Sequence, residues 1–318
     1  MGIMVTGSAG FIGFHVAKAL LERGEKVVGF DNVNDYYDQD LKWARNSILE
    51  GYEGYKFYHK DLCDHDALES AFDEHNITRM CHLAAQAGVR YSIDNPQAYQ
   101  RSNLEGFTNI LEVCRQKEVD NLVFASSSSV YGGCKEIPFS EDYDITHPIS
   151  FYAATKAANE VMAHSYHHLY GIPCSGLRFF TVYGPWGRPD MAMYLFTENM
   201  IKGKPIEVFN YGNMKRDFTY INDIVDGVIS SIDKPFDYEI FNLGNHTPVN
   251  LMYVISKLEE SLGMESDMKM LPMQPGDVER TYADINKAKD MLGFEPKTSV
   301  EEGIEHFVDW YKKYNGIV

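Results

Sequence analysis

The sequence predicts an α/β fold in which a doubly wound parallel sheet carries helices on both faces. Short apolar runs alternate with amphipathic segments of helix length through the first half of the chain, and a glycine-rich turn follows the first apolar run. The length of 318 residues is enough to bury a large core. Right-handed connections between parallel strands then place successive helices on opposite faces of the sheet.

The individual elements follow from hydrophobic periodicity. Strands are predicted at residues 3–5, 27–30, 56–58, 80–84, 122–125 and 174–180, and helices at 11–23, 66–75, 98–116 and 151–170. Beyond Gly184 proline and glycine interrupt the pattern, which predicts a hairpin turn at Gly212-Asn213 and short helices near 222–231 and 251–262. We therefore expect residues 1–184 to form a nucleotide-binding domain, to which about 221–245 returns, and residues 185–318 to form mainly a smaller substrate-binding lobe.

Composition narrows the range of partners and compartments. The chain has 46 acidic and 29 basic side chains and a net charge of -17, so we expect neither nucleic acid nor a membrane as a partner. An anionic ligand would have to be held by local arginines. Five widely spaced cysteines without a C-x-x-C pair suggest neither a zinc site nor disulfides, which favours a reducing cytoplasm. Residues 1–13 read as a strand and a loop rather than as a signal peptide, and no apolar run is long enough to span a membrane.

A glycine triplet between the first strand and the first helix predicts a phosphate-binding loop of the Rossmann type. Gly7, Gly10 and Gly13 are spaced G-x-x-G-x-x-G, which lets the backbone approach a pyrophosphate at a helix N-terminus. A glycine turn at such a position often has no ligand, so the triplet alone is not specific. The candidate cofactor contacts in this loop are Gly7, Ala9, Gly10, Phe11, Ile12 and Gly13.

Asp31, at the end of the second strand, makes a dinucleotide the favoured ligand. Its carboxylate can bond both hydroxyls of the adenosine ribose and would repel a 2′-phosphate, and the residues that follow supply no arginine. NAD is therefore predicted rather than NADP. Further candidate contacts, which are as well explained as ordinary loop residues, are Asn32, Asp61, Leu62, Leu83, Ala84 and Ala85.

Tyr152 and Lys156 are the candidate catalytic pair. They lie four residues apart on one face of the long helix, where the ammonium, together with the positive nicotinamide ring, is expected to lower the pKa of the phenol so that it can act as a base toward a sugar hydroxyl. Both residues are also expected to contact the cofactor. A Tyr-x-x-x-Lys pair alone is common on exposed helices. The serine run 126–129, which follows an apolar strand, strengthens the prediction, and Ser127 is expected to hydrogen-bond the reacting oxygen.

Taken together, these motifs resemble the extended short-chain dehydrogenase/reductases that act on nucleotide sugars. The resemblance spans nearly the whole chain and rests on the glycine loop, Asp31, the residues 82–85, the serine run with Val130-Tyr131-Gly132, the Tyr152/Lys156 pair and the residues 178–185. Within that group, residues 31–37, 85–92 and 184–191 resemble the UDP-glucuronate 4-epimerases. The resemblance implies a homodimer formed through the two long helices, about 98–116 and 151–170.

The resemblance also implies a reaction and a set of substrate contacts. C4 of a UDP-sugar would be oxidised transiently, the 4-keto sugar would turn over, and C4 would be reduced on its other face. Related dehydratases and decarboxylases carry an acidic residue just before Val-Tyr-Gly, where this chain has only serines, which favours an epimerase. The expected contacts are Ser127, Ser128, Ser129, Thr181 and Arg188 near the sugar, Arg216 and Arg280 at the diphosphate, and Arg90 or Arg178 as further candidates.

Several alternatives stay open at this stage. They are a UDP-glucose/galactose 4-epimerase, a nucleotide-sugar decarboxylase or dehydratase, and an NAD-sensing binding protein that performs no chemistry. The presence of Tyr152, Lys156 and Ser127 favours an enzyme over the last of these. A histidine-rich helix face with Glu160, His164, His167 and His168 lacks the spacing of a metal site, so no metal is predicted.

Overall fold

The computed structural model describes residues 2–317, within which the chain forms twelve strands and twelve α-helices. The strands are β1 (Gly2–Thr6), β2 (Lys26–Asp31), β3 (Tyr55–His59), β4 (Ile77–His82), β5 (Asn121–Ser127), β6 (Cys174–Phe179), β7 (Thr181–Tyr183), β8 (Ile206–Val208), β9 (Lys215–Tyr220), β10 (Tyr238–Leu243), β11 (Pro248–Asn250) and β12 (Met268–Met270). The helices are α1 (Phe11–Glu22), α2 (Gln39–Glu50), α3 (His65–His75), α4 (Tyr91–Asp94), α5 (Pro96–Tyr99), α6 (Gly106–Gln116), α7 (Phe151–Tyr170), α8 (Ala192–Ile201), α9 (Ile221–Asp233), α10 (Leu251–Leu262), α11 (Asn286–Leu292) and α12 (Val300–Tyr314).

Seven strands form one parallel sheet in the order β10-β6-β5-β4-β1-β2-β3. The chain builds the sheet outward from β1 in one direction and then, from β4 onward, in the other. The predicted doubly wound parallel sheet is therefore confirmed. The carboxyl ends of β1 and β4 flank the point where the strand order reverses, which is where open α/β sheets bind their ligands.

Alternating side chains of the strands pack against helices on opposite faces of the sheet. Ile3 and Val5 of β1 belong to the same buried cluster as Phe14 of α1. Met4, between them in the sequence, belongs to a second cluster with Phe107 of α6. Successive side chains of a strand point to opposite faces of the sheet, and helices cover both faces. Every side chain of a central strand is therefore buried, which is why these strands appear in the sequence as short, continuous apolar runs.

The second half of the chain contributes both to this sheet and to two smaller sheets. β10 pairs with β6 and forms an edge of the main sheet, although it follows Gly184 by more than fifty residues. Two small sheets, β11-β9-β7 and β12-β8, lie in the remaining part together with α8, α10 and α12. The division into a nucleotide-binding domain and a substrate-binding lobe stays a prediction.

The structure corrects the predicted hairpin at Gly212-Asn213. The strands on either side of this turn, β8 and β9, do not pair with each other, since β8 pairs with β12 and β9 pairs with β7 and β11. Asn210 and Tyr211, just before the turn, have positive φ angles of 48° and 51° and redirect the chain. A glycine turn between two apolar runs therefore connects two different sheets here.

Several helical features also differ from the prediction. The helix expected at 98–116 is interrupted by a π-helical turn, Gln100–Glu105, which places the side chain of Asn103 in the interior. Helix α2 was not predicted, because polar Lys42, Arg45 and Asn46 share its buried face with two leucines. Helices α4, α8, α11 and α12 were not predicted either. The helices predicted near 222–231 and 251–262 are present as α9 and α10.

A buried ion pair fixes α7 against the sheet. Glu160 of α7 accepts hydrogen bonds from Nε and Nη2 of Arg178 in β6 at 2.9 and 2.7 Å, and both side chains are only 3–4% exposed. Ser126 of β5 donates to the same carboxylate at 2.5 Å, and Arg178 donates to the hydroxyl of Tyr131 at 2.9 Å. Arg178 therefore has a structural role, and the hydroxyl of Ser126 is used to hold Glu160.

Replacing Glu160 by glutamine is expected to lower the free energy of unfolding by about 3–5 kcal/mol, because the Arg178 charge would remain buried without its partner. Urea denaturation measures this change. The matched control is Glu198→Gln, which removes the partly exposed pair with Lys202 and should change the free energy by less than about 1 kcal/mol. Equal effects of the two substitutions would contradict this account of the buried pair.

Candidate active site

A deep cleft opens at the carboxyl edge of the parallel sheet and extends to residues of the second half of the chain. Its volume is about 1180 Å³, which is large for a small-molecule site. Of the predicted cofactor contacts, the following line it: Gly7, Gly10, Phe11, Ile12, Gly13, Asp31, Asn32, Asp61, Leu62, Leu83, Ala84, Ala85, Tyr152 and Lys156. Of the predicted substrate contacts, it is lined by Ser127, Ser128, Ser129, Thr181, Arg188, Arg216 and Arg90.

The glycine loop at one end of the cleft is too closely packed for side chains. Gly7 has a φ of +71°, and a Cβ there would lie 2.8 Å from the backbone nitrogen of Ala84. A Cβ on Gly13 would lie 2.0 Å from the carbonyl oxygen of Gly7. The loop therefore presents bare backbone and the N-terminus of α1, an arrangement that suits a pyrophosphate.

Asp31 is fixed at the end of β2 by two backbone donors. Its carboxylate accepts from the N–H of Ala9 at 3.1 Å and of Val33 at 2.8 Å, and burial raises its pKa in spite of these bonds. Ala9 itself is fully buried and does not line the cleft, so it acts by holding Asp31 and not as a surface of the cavity. The cradle formed by the glycine loop and Asp31 fits the pyrophosphate and ribose of a dinucleotide.

Tyr152, Lys156 and Ser127 all line the cleft, and the Ser127 hydroxyl is close enough to Tyr152 to lower the pKa of its phenol. Lys156 is 2% exposed and its ammonium donates to the carbonyl oxygen of Ala125 at 2.9 Å, directly before the serine run. Burial lowers the pKa of Lys156 to about 8, against the opposing effect of Glu160. Tyr152, one helical turn earlier, is half-buried in the cleft wall.

The expected effect of Lys156 on Tyr152 does not appear in the structure. Burial raises the pKa of the Tyr152 phenol above its ordinary value, while the Ser127 hydroxyl and the Arg188 guanidinium lower it by smaller amounts. The Lys156 ammonium is bound to the Ala125 carbonyl and is itself desolvated. The lowering of the Tyr152 pKa that was expected from Lys156 together with the nicotinamide ring therefore stays a prediction.

Small hydroxyl side chains form the wall opposite Tyr152. Ser127 donates to the hydroxyl of Ser129 at 3.1 Å and accepts from the Ser129 N–H at 3.2 Å, which fixes its orientation. Ser128 and Thr181 line the same part of the cleft and are half-buried. This wall contains no carboxylate in the serine run, so it can bind a ketone or a carboxylate through neutral donors.

Each of two arginines in the cleft is paired with an aspartate. Arg188 binds Asp190 through Nε at 3.0 Å and Nη2 at 2.5 Å, and Arg216 binds Asp277 at 2.6 Å. Burial lowers the pKa of Arg216, and the neighbouring charge of Arg90 lowers it further, although Asp277 opposes both. The guanidinium groups of Arg216 and Arg90 repel each other in this partly buried site, which favours the binding of an anion near both of them.

Arg280 does not lie where it was predicted. Its side chain is exposed, lies over the ring of Tyr282 at 5.9 Å, and borders a separate shallow depression instead of the main cleft. The neighbouring Asp277 and Val278 line the cleft in its place. The prediction that Arg280 binds a diphosphate therefore has no support in this geometry.

The sequence analysis missed several side chains that shape the cleft. Tyr36 donates to Asp190 at 3.1 Å, and the ring of Tyr99 packs edge-on against that of Tyr152 with 6.0 Å between centroids. Lys42 of α2 donates to the backbone and side-chain oxygens of Asn34 at 2.6 and 2.7 Å, and burial lowers its pKa to about 8. Tyr36 lies in the stretch 31–37 that carries the predicted resemblance, although no role was predicted for it, and Lys42 and Tyr99 come from segments without a recognisable motif. Among residues 2–317 there is no cluster of histidine, cysteine, aspartate or glutamate that fits a metal ion.

Comparison with known proteins places this cleft in a family. The family model described as GDP-mannose 4,6 dehydratase matches residues 4–307. The chain therefore belongs to the GDP-mannose 4,6-dehydratase family. The predicted resemblance to extended short-chain dehydrogenase/reductases that act on nucleotide sugars is thereby confirmed.

Members and structural neighbours of the GDP-mannose 4,6-dehydratase family resemble this chain over its whole length. UDP-glucuronate 4-epimerase 4 of Arabidopsis thaliana is 45% identical over 98% of this chain and 75% of its own. An uncharacterised protein of Methanocaldococcus jannaschii is 56% identical over 97% of this chain and 95% of its own.

Two solved structures are similar in fold as well as in sequence. UDP-glucuronic acid 4-epimerase from Bacillus cereus, solved with UDP-glucuronic acid and NAD, has a TM-score of 0.94 and 36% identity, over 99% of this chain and 100% of its own. UDP-glucose 4-epimerase from Thermotoga maritima, solved with UDP-glucose, has a TM-score of 0.89 and 31% identity over the same shares.

In this member of the GDP-mannose 4,6-dehydratase family, Gly13→Ala is expected to weaken NAD binding at least tenfold, since the new Cβ would collide with the carbonyl of Gly7 and displace the phosphate loop. Calorimetric titration with NAD measures this effect. Gly133→Ala is the matched control, because a Cβ there has its nearest neighbour at 4.0 Å. Unchanged NAD affinity in Gly13→Ala would rule out this loop as the pyrophosphate site.

Proposed function

We propose that this protein is an NAD-dependent 4-epimerase of a UDP-sugar, and that its substrate is UDP-glucuronate, which it converts to UDP-galacturonate. The observation that carries the proposal is the position of Tyr152, Lys156 and Ser127, which share one cleft with a dinucleotide cradle and with Arg188. The names of the relatives in plants and in Bacillus cereus support the same substrate.

NAD is the cofactor in this proposal. The fixed carboxylate of Asp31 can bond the ribose hydroxyls and would repel the 2′-phosphate of NADP. When bound, NAD accepts the C4 hydrogen as hydride and returns it to the other face, and its positive nicotinamide ring lowers the pKa of Tyr152. The residues of the chain supply the binding, the orientation and the proton transfer.

Tyr152 is the base that removes the proton of the C4 hydroxyl and later returns it. Ser127 is held by Ser129 and hydrogen-bonds the reacting oxygen, so that the phenol and the sugar hydroxyl keep their alignment. Lys156 contributes its positive charge from beneath the end of β5. Burial raises the pKa of Tyr152, and the positive charge of a bound nicotinamide ring would oppose this effect.

The uronate carboxylate is assigned to Arg188 and to the hydroxyls of Ser128, Ser129 and Thr181. These groups line the same cleft as Tyr152, and Arg188 is close enough to lower the pKa of that tyrosine. A UDP-uronic acid oxidised at C4 is a β-keto acid, so the enzyme must hold the carboxylate in an orientation that disfavours loss of CO₂. A fixed guanidinium and neutral hydroxyls suit this task better than an acidic residue does.

The diphosphate of UDP is assigned to Arg216, with Arg90 beside it. The side chain of Arg216 is 13% exposed and acts with Arg90 on the same region of the cleft. Arg280 is kept only as a residue to be tested, because it lies outside the cleft.

Incubation of the purified protein with NAD and UDP-glucuronate is expected to yield UDP-galacturonate without release of CO₂, as measured by chromatographic separation of the products. Tyr152→Phe is expected to reduce turnover by about 10²–10⁴-fold through loss of the proton acceptor. Tyr52→Phe, which removes only a partly exposed hydrogen bond to Glu22, is the matched control.

The alternatives predict different products. Conversion of UDP-glucose at a comparable rate would favour a UDP-glucose/galactose 4-epimerase, and the Thermotoga maritima structure is the reason to include this substrate. Release of CO₂ or water from the sugar would indicate a decarboxylase or a dehydratase. NAD binding without any turnover would indicate an NAD-sensing protein, and full activity of Tyr152→Phe would disprove the mechanism.

A homodimer and a cytoplasmic location complete the proposal. All five cysteines are free, which suits a reducing compartment. Between residues 2 and 317 no helix is both long and apolar enough to cross a bilayer. Val161 and Leu169 lie eight residues apart on α7 and are 67% and 63% exposed, so one side of this helix presents apolar surface.

Light scattering is expected to give about twice the chain mass of 36.3 kDa for the wild type. The double variant Val161→Asp/Leu169→Asp is expected to give a monomer, because two carboxylates would have to be desolvated in the interface. Tyr211→Asp, at a residue 61% exposed in the C-terminal lobe, is the control and should remain a dimer. A monomeric wild type would refute the dimer.

A further inference from the structure

Three consecutive backbone carbonyls in the loop that carries Arg188 accept hydrogen bonds from side chains of α1 and α2. The carbonyl of Pro185 bonds Nε2 of His15 in α1 at 2.9 Å. The next two carbonyls, of Trp186 and Gly187, both accept from Nη2 of Arg45 in α2, at 2.7 and 3.2 Å. Because burial lowers the pKa of His15 to about 4, this histidine is neutral and donates its Nε2 proton.

Arg45 also reaches the phosphate loop. Its Nη1 donates to the carbonyl of Ala9 and to the hydroxyl of Tyr37, both at 2.9 Å. Arg45 is fully buried, and no carboxylate among residues 2–317 lies within ion-pair distance of it. A buried cation is unfavourable unless its charge is compensated and its donors are used. The Asp31 carboxylate interacts electrostatically with Arg45, and Nη1 and Nη2 join the two loops, whereas the buried Nε has no hydrogen-bond partner.

The backbone that Arg45 holds is strained. Trp186 has a φ of +61°, in the left-handed region that a bulky residue rarely adopts. Its ring packs against Phe14, Trp310 and Tyr314 with centroid distances of 5.3–5.5 Å, while its carbonyl is held by Arg45. The contacts of the Trp186 ring and the hydrogen bond to its carbonyl together hold this strained turn in place. Arg188 follows Trp186 by two residues.

We infer that Arg45 is a positioning residue, which sets the place of the Arg188 guanidinium by holding the carbonyls of Trp186 and Gly187, and thereby sets the preference for a sugar that carries a carboxylate. This inference rests on the proposed function, in which Arg188 binds the uronate. Arg45 does not touch the substrate. Its hydrogen bonds to Ala9 on one side and to Trp186 and Gly187 on the other link the glycine loop to the loop that carries Arg188.

Binding of two ligands to NAD-loaded protein tests the inference. UDP-glucuronate and UDP-glucose differ only at C6, which is a carboxylate in the first and a hydroxymethyl group in the second. All variants are made in a Tyr152→Phe background, so that turnover is negligible during calorimetry. Arg188→Met is expected to weaken UDP-glucuronate binding by about 10- to 100-fold and UDP-glucose binding by less than about threefold, as a charge-assisted hydrogen bond predicts. Arg45→Met is expected to weaken UDP-glucuronate binding about tenfold with the same sparing of UDP-glucose.

The double variant Arg45→Met/Arg188→Met distinguishes positioning from general stability. If Arg45 acts through Arg188, the double variant binds UDP-glucuronate no more weakly than Arg188→Met does. Arg45→Lys keeps the positive charge but loses the planar set of guanidinium donors. It should lose less affinity for UDP-glucuronate than Arg45→Met does, with the same sparing of UDP-glucose, and it serves as the test if Arg45→Met folds poorly. Arg23→Met, which removes an exposed arginine paired with Asp233, is the matched control and should bind both ligands as the wild type does.

Three results would overturn the inference. The first is an equal loss for both ligands in Arg45→Lys, and the second is an additive loss in the double variant; in both cases the proposed function would stand, provided that the unmodified protein epimerises UDP-glucuronate. The third is a wild type that neither prefers nor converts UDP-glucuronate, which would overturn the inference together with the proposed function.

Discussion

The orientation of α7 is the constraint on which the rest of the site depends. On one side Glu160 binds Arg178 and Ser126, which ties the helix to β5 and β6. On the other side Asn159 donates to the carbonyl of Asn103 at 2.7 Å, and the Asn103 side chain donates to Thr155 at 3.0 Å. These contacts on two sides restrict rotation of α7 about its own axis, so Tyr152 and Lys156 stay beside the end of β5.

The π-helical turn is part of the same arrangement. A regular helix through Gln100–Glu105 would change the direction of every following side chain, and Asn103 would no longer reach both Thr155 and the carbonyl of Gln86, to which it donates at 3.0 Å. Inserted turns of this kind are frequent at functional sites. Here the irregular turn satisfies buried polar groups of the loop that lines the cleft and of the catalytic helix at the same time.

The charges of the cleft explain how an acidic protein can bind an acidic ligand. The chain carries a net charge of -17, yet Arg188 and Arg216 face the cavity, each with its own aspartate. An anionic ligand must therefore compete with Asp190 or Asp277 for a guanidinium, and long-range attraction contributes little. Selectivity in such a site comes from the geometry of the donors, which is why the loop that carries Arg188 needs firm support.

The parts of the fold and site that could be predicted from the sequence are those in which one segment carries its own signal. Buried parallel strands appear as apolar runs, the glycine loop and Asp31 have a fixed relation to the strands that precede them, and Tyr152 and Lys156 share a helix face. Helix α2 carries no such signal, because three of the five side chains that it buries, Lys42, Arg45 and Asn46, are polar. Their burial is favourable only through contacts with loops distant in the sequence, and hydrophobic periodicity does not detect such contacts.

The error at Gly212-Asn213 has the same origin. The hairpin was inferred from the turn, but the partners of β8 and β9 are strands from other parts of the chain. The role of Arg280 was assigned by resemblance and stays a prediction; in the structure its exposed side chain lies over Tyr282 and borders a separate depression. The pKa of Tyr152 depends on desolvation by the whole cleft, which the spacing to Lys156 does not describe.

On the proposed function, the loop at 184–191 also determines which reaction follows C4 oxidation. Loss of CO₂ from a β-keto acid requires the bond to the carboxylate carbon to align with the π system of the ketone. A carboxylate held by Arg188 and by hydroxyls of the serine run is kept in one orientation, and this orientation is only as fixed as the loop itself. Since Arg45 and His15 hold that loop by three successive carbonyls, the support that selects the uronate also protects the intermediate from decarboxylation.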